Sequence, residues 1–145
     1  MIEEARHYLR VVLDGEVPTL EELVRALDAL AMAYHAVDPD AFFDTDVMPP
    51  DRRHGLRETI AARFPSFGYY AVANPLLVID EKPGVGDAID DLEDIAADLE
   101  GVVWRWENTD PEDAAWSYRF DYETHWGKHL HELRAYLHAK MFYGD

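Results

Sequence analysis

Apolar side chains return every three or four positions through most of this chain. That spacing is the period of an α-helix and not of a strand. Between Ile2 and Leu13, Ala5, Leu9, Val12 and Leu13 share one face, and Glu3 and Glu4 stand in the first turn, where the helix dipole favours acids. Gly15 stops this helix. Thr19-Leu20-Glu21-Glu22, preceded by Pro18, is a capping box, and Leu20, Leu23, Leu27, Leu30, Ala31 and Tyr34 carry a second helix to about Val37. Asp38 to Pro50 breaks the pattern with four Asp and no base, a loop composition. Asp51 to Phe64 resumes as a short helix and holds the basic island of the chain, Arg52, Arg53, Arg57 and Arg63. Phe67 to Ile79 reads as an extended segment packed on the core, because a lone strand at Leu76 to Ile79 has no partner. Lys82 to Gly86 reads as a turn.

A fourth helix is expected from about Asp87 to Glu107. Asp110 caps a fifth, with Pro111 at its first position, which runs to about Ala139. That is about 28 residues, or about 42 Å at 1.5 Å per residue. Gly127, in its middle, marks a kink or a close helix contact. With no repeat and no Pro/Gly/Ser linker, the expectation is an all-α fold. Residues 1–145 form a single-domain up-and-down bundle of four to five helices with a long C-terminal helix.

Composition narrows the function. The chain has 145 residues, no Cys, 48% hydrophobic residues and a net charge of -17. Such a length buries a core without disulfide or metal, and that apolar content excludes a disordered chain. A basic nucleic-acid face is not expected at this charge. No stretch approaches the roughly 20 apolar residues of a membrane span, no helix has a basic amphipathic face for a membrane surface, and the N-terminus MIEEARHYLRVV lacks a signal-peptide pattern. The expected location is cytoplasmic. Without Cys, and with Ser66 and Ser117 outside any nucleophile elbow, covalent catalysis finds no support. Gly84-Val85-Gly86 precedes a helix that opens on Asp87, which repels phosphate.

The acids are not spread evenly. Asp80 to Asp113 holds 13 acids and two bases, while the other 111 residues carry the remaining -6. Ten Arg against three Lys, with 17 Asp and 18 Ala, is what a GC-rich genome or a salt-adapted protein writes, and the clustering argues against genome bias alone. On the fourth helix Asp87, Asp91, Asp94 and Asp98 form one stripe beside the apolar arc. Like charges at this spacing repel by a few tenths of a kcal/mol per pair. Solvent, a basic partner or a cation must meet them.

On the fifth helix Tyr118, Tyr122, Trp126, Leu130, Leu133 and Leu137 make the apolar face. Arg119 falls inside it and Glu123 near its edge, the pattern of a paired structural network that ties the fifth helix to the fourth. His125 and His129, four apart, border the face on the other side. Two imidazoles one turn apart can share a metal, although neither belongs to a Glu-x-x-His, since Tyr122 and Trp126 stand three residues before them, and His-Glu-x-x-His is absent from the chain. Two readings follow. The favoured one is a non-enzymatic domain that binds a basic protein through Asp87, Asp91, Asp94 and Asp98, with no cofactor. The other is a metal-binding protein or metal-dependent enzyme in which Asp91, Asp94 and Asp98 face His125 and His129. It requires imidazole nitrogens within about 8 Å of those carboxylates.

Trp116 to Leu130, WSYRFDYETHWGKHL, followed by Leu133-Arg134-Ala135-Tyr136-Leu137-His138, resembles the C-terminal signature of the bacterial DUF5063 family. Asp90-Asp91-Leu92, Asp94-Ile95 and Asp98-Leu99 resemble its aspartate-rich helix, so the likeness covers roughly residues 69–139. The family pattern has Asp-Pro after a Tyr pair; here Tyr69-Tyr70 is followed by Asn74-Pro75. The resemblance implies a helical domain with no assigned activity and no catalytic residues to carry over.

Overall fold

The computed structural model describes residues 1–43, 45–79 and 82–144. Asp44 of the acidic loop and Asp80, which opens the acidic stretch, lie outside them. The elements are α1 (Ile2–Leu13), α2 (Leu20–Ala36), α3 (Leu56–Arg63), β1 (Tyr69–Val72), β2 (Gly84–Asp87), α4 (Ala88–Asn108), α5 (Pro111–Asp121), a π-helical turn (Tyr122–Trp126) and α6 (Gly127–Phe142). The fold is all-α apart from one small hairpin, and its C-terminal rod is long.

The capping box forms as the sequence requires: Glu22 N–H donates to Thr19 Oγ1 at 3.1 Å, and Thr19 N–H donates to Glu22 Oε2 at 2.8 Å. Asp87 caps α4, its Oδ1 accepting from Ile89 N–H at 3.0 Å. The apolar faces then meet around α4, which packs against α1, α3, α5 and α6. Val12, Leu27, Leu30, Ile95, Leu99 and Leu133 are fully buried there, each contributing about 1.5–3 kcal/mol of transfer free energy. Two buried tyrosines cross the core and satisfy their hydroxyls on carbonyls: Tyr8 on Leu92 O at 3.0 Å and Tyr118 on Leu30 O at 2.7 Å.

Four boundaries depart from the sequence reading. First, Tyr69–Val72 and Gly84–Asp87 pair antiparallel, Tyr69 opposite Asp87 and Val72 opposite Gly84. The turn expected at Lys82 to Gly86 is therefore half a hairpin. Its second strand is half glycine, which erases the alternation that announces a strand. Gly86 is required, because a Cβ there would lie 2.5 Å from the Tyr70 ring. Second, Phe67 and Tyr70 pack against the core as expected, but Leu76 and Ile79 are 91% and 103% exposed, so the far end of that segment stands off it. Third, α3 opens at Leu56 and not at Asp51, because Gly55 caps it at φ 78°. Fourth, the long helix runs on to Phe142 and is interrupted by the π turn, where Gly127 N–H bonds back to Tyr122 O.

That turn has a sequence cause. The apolar face steps from Tyr118 to Tyr122 to Trp126 to Leu130 in fours. Four residues of α-helix overshoot one turn by about 40°, so three such steps drift by about 120°. One extra residue wound into the helix brings Trp126 and Leu130 back under α4. Tyr118, Trp126, Leu130, Leu133 and Leu137 are then all buried. Gly127 is needed at the end of the turn, since a Cβ would stand 2.3 Å from Tyr122 O.

Candidate metal centre

By turning the apolar face inward by one residue, the π turn leaves His125 and His129 on the flank of the rod, facing the aspartate stripe of α4. Asp98 Oδ2 accepts from His125 Nδ1 at 2.6 Å, and Asp91 Oδ1 accepts from His129 Nδ1 at 2.7 Å. A carboxylate only accepts, so each Nδ1 carries a proton, and Nε2 is the ring nitrogen left to ligate in the neutral imidazole. Both Nε2 atoms turn to one oxygen: Asp94 Oδ2 lies 3.2 Å from His129 Nε2 and 3.9 Å from His125 Nε2. The two rings meet edge to face with centroids 4.9 Å apart. One ligand atom from each of Asp94, His125 and His129 falls within 4.8 Å of the others.

The rest of the site is held from outside. Arg52 NH2 donates to Asp94 Oδ1 at 2.8 Å, which fixes the carboxylate with Oδ2 turned to the imidazoles. Asp91 is 3% exposed and also accepts from the Tyr70 hydroxyl of β1. Burial and that bond to Asp91 push the Tyr70 phenol well above its ordinary range. The hydrogen bond to Asp91 raises His129, against the opposing effect of burial, and the Asp94 charge adds to the rise. Burial raises Asp98 in spite of its bond to His125.

Asp87 does not join this cluster. It caps α4 and binds Arg57 NH2 at 2.6 Å. Burial works against its ionised form, but the Arg57 bond and the backbone N–H groups of Asp90 and Ile89 outweigh it, and its acidity is strengthened. Three of the four arginines of the basic island lie along the acidic helix: Arg52 also meets Glu93 at 3.2 Å, Arg57 meets Glu93 at 3.4 Å, and Arg53 meets Glu100 at 3.4 Å, while Arg63 donates to carbonyls at the end of α1. Much of the aspartate stripe is thus matched within the chain. Arg119 and Glu123 do pair, at 3.7 Å, but they do not tie α5 to α4. Arg119 donates to Pro39 O, and Glu123 accepts from the Tyr34 hydroxyl at 2.9 Å, so the network joins the rod to α2 and the loop after it. The drift of the apolar face had already turned that side toward α2.

Sequence reasoning missed Tyr70 and Arg52 as supports of the site. Tyr70 comes from a strand that periodicity did not reveal. Arg52 was visible as part of a basic island, but its partner 42 residues on was not.

No helix among the described residues is long and apolar enough to cross a membrane. No curated protein and no solved structure matches the chain. The sequence profile of one family does, and it reaches beyond the C-terminal half that carries the visible signature: over residues 2–142 this chain belongs to DUF5063, a domain of unknown function.

Proposed function

We propose that this domain binds one divalent transition-metal ion through Asp94 Oδ2, His125 Nε2 and His129 Nε2. The carrying observation is the convergence of those three atoms, each imidazole fixed by a carboxylate on its far nitrogen. Asp91 and Asp98 supply the carboxylate–histidine pairs that select the tautomer and raise ligand basicity. Bonds of about 2.1 Å put neighbouring ligand atoms about 3.0–3.4 Å apart. The Asp94–His129 pair stands at that spacing and His125 closes by a small swing. A mixed imidazole and carboxylate set suits zinc or ferrous iron better than magnesium or calcium. Three protein ligands leave a position for water or substrate, which is the pattern of a reactive ion and not of a closed structural one.

A basic protein partner on the aspartate stripe has less support. It would have to displace Arg52, Arg57 and the two imidazoles from carboxylates they already hold.

The test is a set of thermal melts of EDTA-stripped protein with Zn²⁺, Fe²⁺ under anaerobic conditions, Mn²⁺ or Mg²⁺, at low and high KCl. A ligand of the native state raises the midpoint by mass action. One transition metal raises it at both salt concentrations, and Asp94→Ala and His129→Ala abolish the rise. Asp98→Asn weakens metal affinity about 10–100-fold. No metal-specific rise at high salt, or an undiminished rise in Asp94→Ala, overturns the proposal.

A further inference from the structure

A second site lies beside the first. The loop after α2 lies beside α4 and α5 and forms with them an open cleft of about 490 Å³, within the size range of small-molecule pockets. Four aromatic side chains line it: Phe42 and Phe43 from the loop, Trp116 and Phe120 from α5. Trp116 stacks on Phe120 with centroids 5.2 Å apart and meets Phe42 edge to face at 6.2 Å. Yet Phe42 and Phe120 stay 64% and 47% exposed, so folding does not use these rings as core. The loop is held in place. Arg105 NH1 donates to Val47 O at 3.4 Å and to the fully buried Asp113 at 3.0 Å.

The charged groups of the cleft are three carboxylates, Asp98, Asp113 and Asp121, and one guanidinium, Arg105. Arg105 is committed to Asp113. Asp98 is held by His125 Nδ1, which leaves Asp121 on the wall. Asp121 has Ser117 Oγ, at 3.1 Å, as its one hydrogen-bond donor among the described residues, and no base pairs with it there. Burial and the nearby Asp98 charge push its carboxyl up to about 6. Arg105 and His125 reach it only as distant charges. A half-buried carboxylate with no base paired to it among the described residues, in a cleft lined by four aromatic side chains, attracts a cation in two ways: by charge and by the ring quadrupoles.

We infer that this cleft binds a small organic cation, an ammonium group on an apolar body, with the ammonium over Trp116 and Phe120 and against Asp121. The inference goes beyond the metal proposal and does not depend on it.

Calorimetric titration of the EDTA-treated 145-residue chain at physiological ionic strength tests it, with benzyltrimethylammonium, benzyl alcohol and benzoate as probes. The cation saturates and binds about tenfold or more tightly than benzyl alcohol, as combined cation–π and charge terms require. Asp121→Asn loses that preference while still folding, and Trp116→Leu loses binding altogether. Should Trp116→Leu not fold, Phe42→Ala at the exposed rim must weaken the cation instead. Benzoate or benzyl alcohol binding as tightly as the cation, no saturation by the cation, or an unchanged preference in Asp121→Asn overturns the inference. The metal melts are read separately, so either result stands without the other.

Discussion

The two ring nitrogens of each histidine are used differently in this protein, and the difference decides what a single substitution does. Asp91 and Asp98 hold Nδ1, while Asp94 faces both Nε2 atoms. Changing Asp94 removes a ligand; changing Asp98 leaves a looser ring. Asp121 illustrates the opposite economy. Its carboxyl, near 6 in the folded chain, titrates close to 3.9 when unfolded. A folded pKa raised in this way favours the folded state while the group is protonated, below about pH 4. That advantage is lost as pH rises through about 6. Asp121→Asn therefore raises stability at pH 7 by about 1–2 kcal/mol, allowing for partial exposure. The gain vanishes toward pH 4, and urea melts of both proteins at the two pH values check it. Arg105 and Asp113 behave as a buried pair, at 3.0 Å with Asp113 fully buried. Asp113→Ala strands a guanidinium and costs about 3–5 kcal/mol, measured by the same melts.

At the scale of elements, the π turn and its glycine carry the most. Gly127→Ala places a methyl against Tyr122 O, so the turn must open or the rod must shift. The expected cost is about 1–3 kcal/mol, with a further loss of metal affinity at temperatures where the variant is still folded. Chemical melts and metal titration read the two effects apart. The helices were legible because their caps and periods act locally: the Thr19 box, the Asp87 and Asp110 caps and the Leu23-Leu27-Leu30 ridge all stand where the residues put them. The hairpin was not, because Gly84 and Gly86 carry no side chain to alternate and the pairing rests on Tyr70 lying across Gly86. The candidate site was half legible. Spacing picked out Asp91, Asp94, Asp98, His125 and His129. It could not say that two of the five orient the rings, because that distinction depends on how α4 and the rod are set against each other. The fours in Tyr118, Tyr122, Trp126 and Leu130 were a visible sign of the extra residue.

For the molecule as a whole, a net charge of -17 is a self-repulsion that folding must overcome. The chain reduces it by laying Arg52, Arg53 and Arg57 along α4, where Arg57 stays 45% exposed at the side chain. Exposed pairs of this kind contribute less than about 1 kcal/mol each. Arg57→Ala is accordingly mild, whereas added KCl raises the midpoint of the metal-free protein by screening the whole field. A salt series of melts separates this general rise from the ion-specific one. The π turn has a consequence of a different sort. It is one residue of extra chain length, and deleting a residue between Asp121 and Gly127 would rotate everything beyond it by about 100°. The leucines of α6 and the histidine pair could not then both keep their places. Segment length here is as informative as residue identity: a chain one residue shorter in this segment would have to give up either this core or this pair of imidazoles.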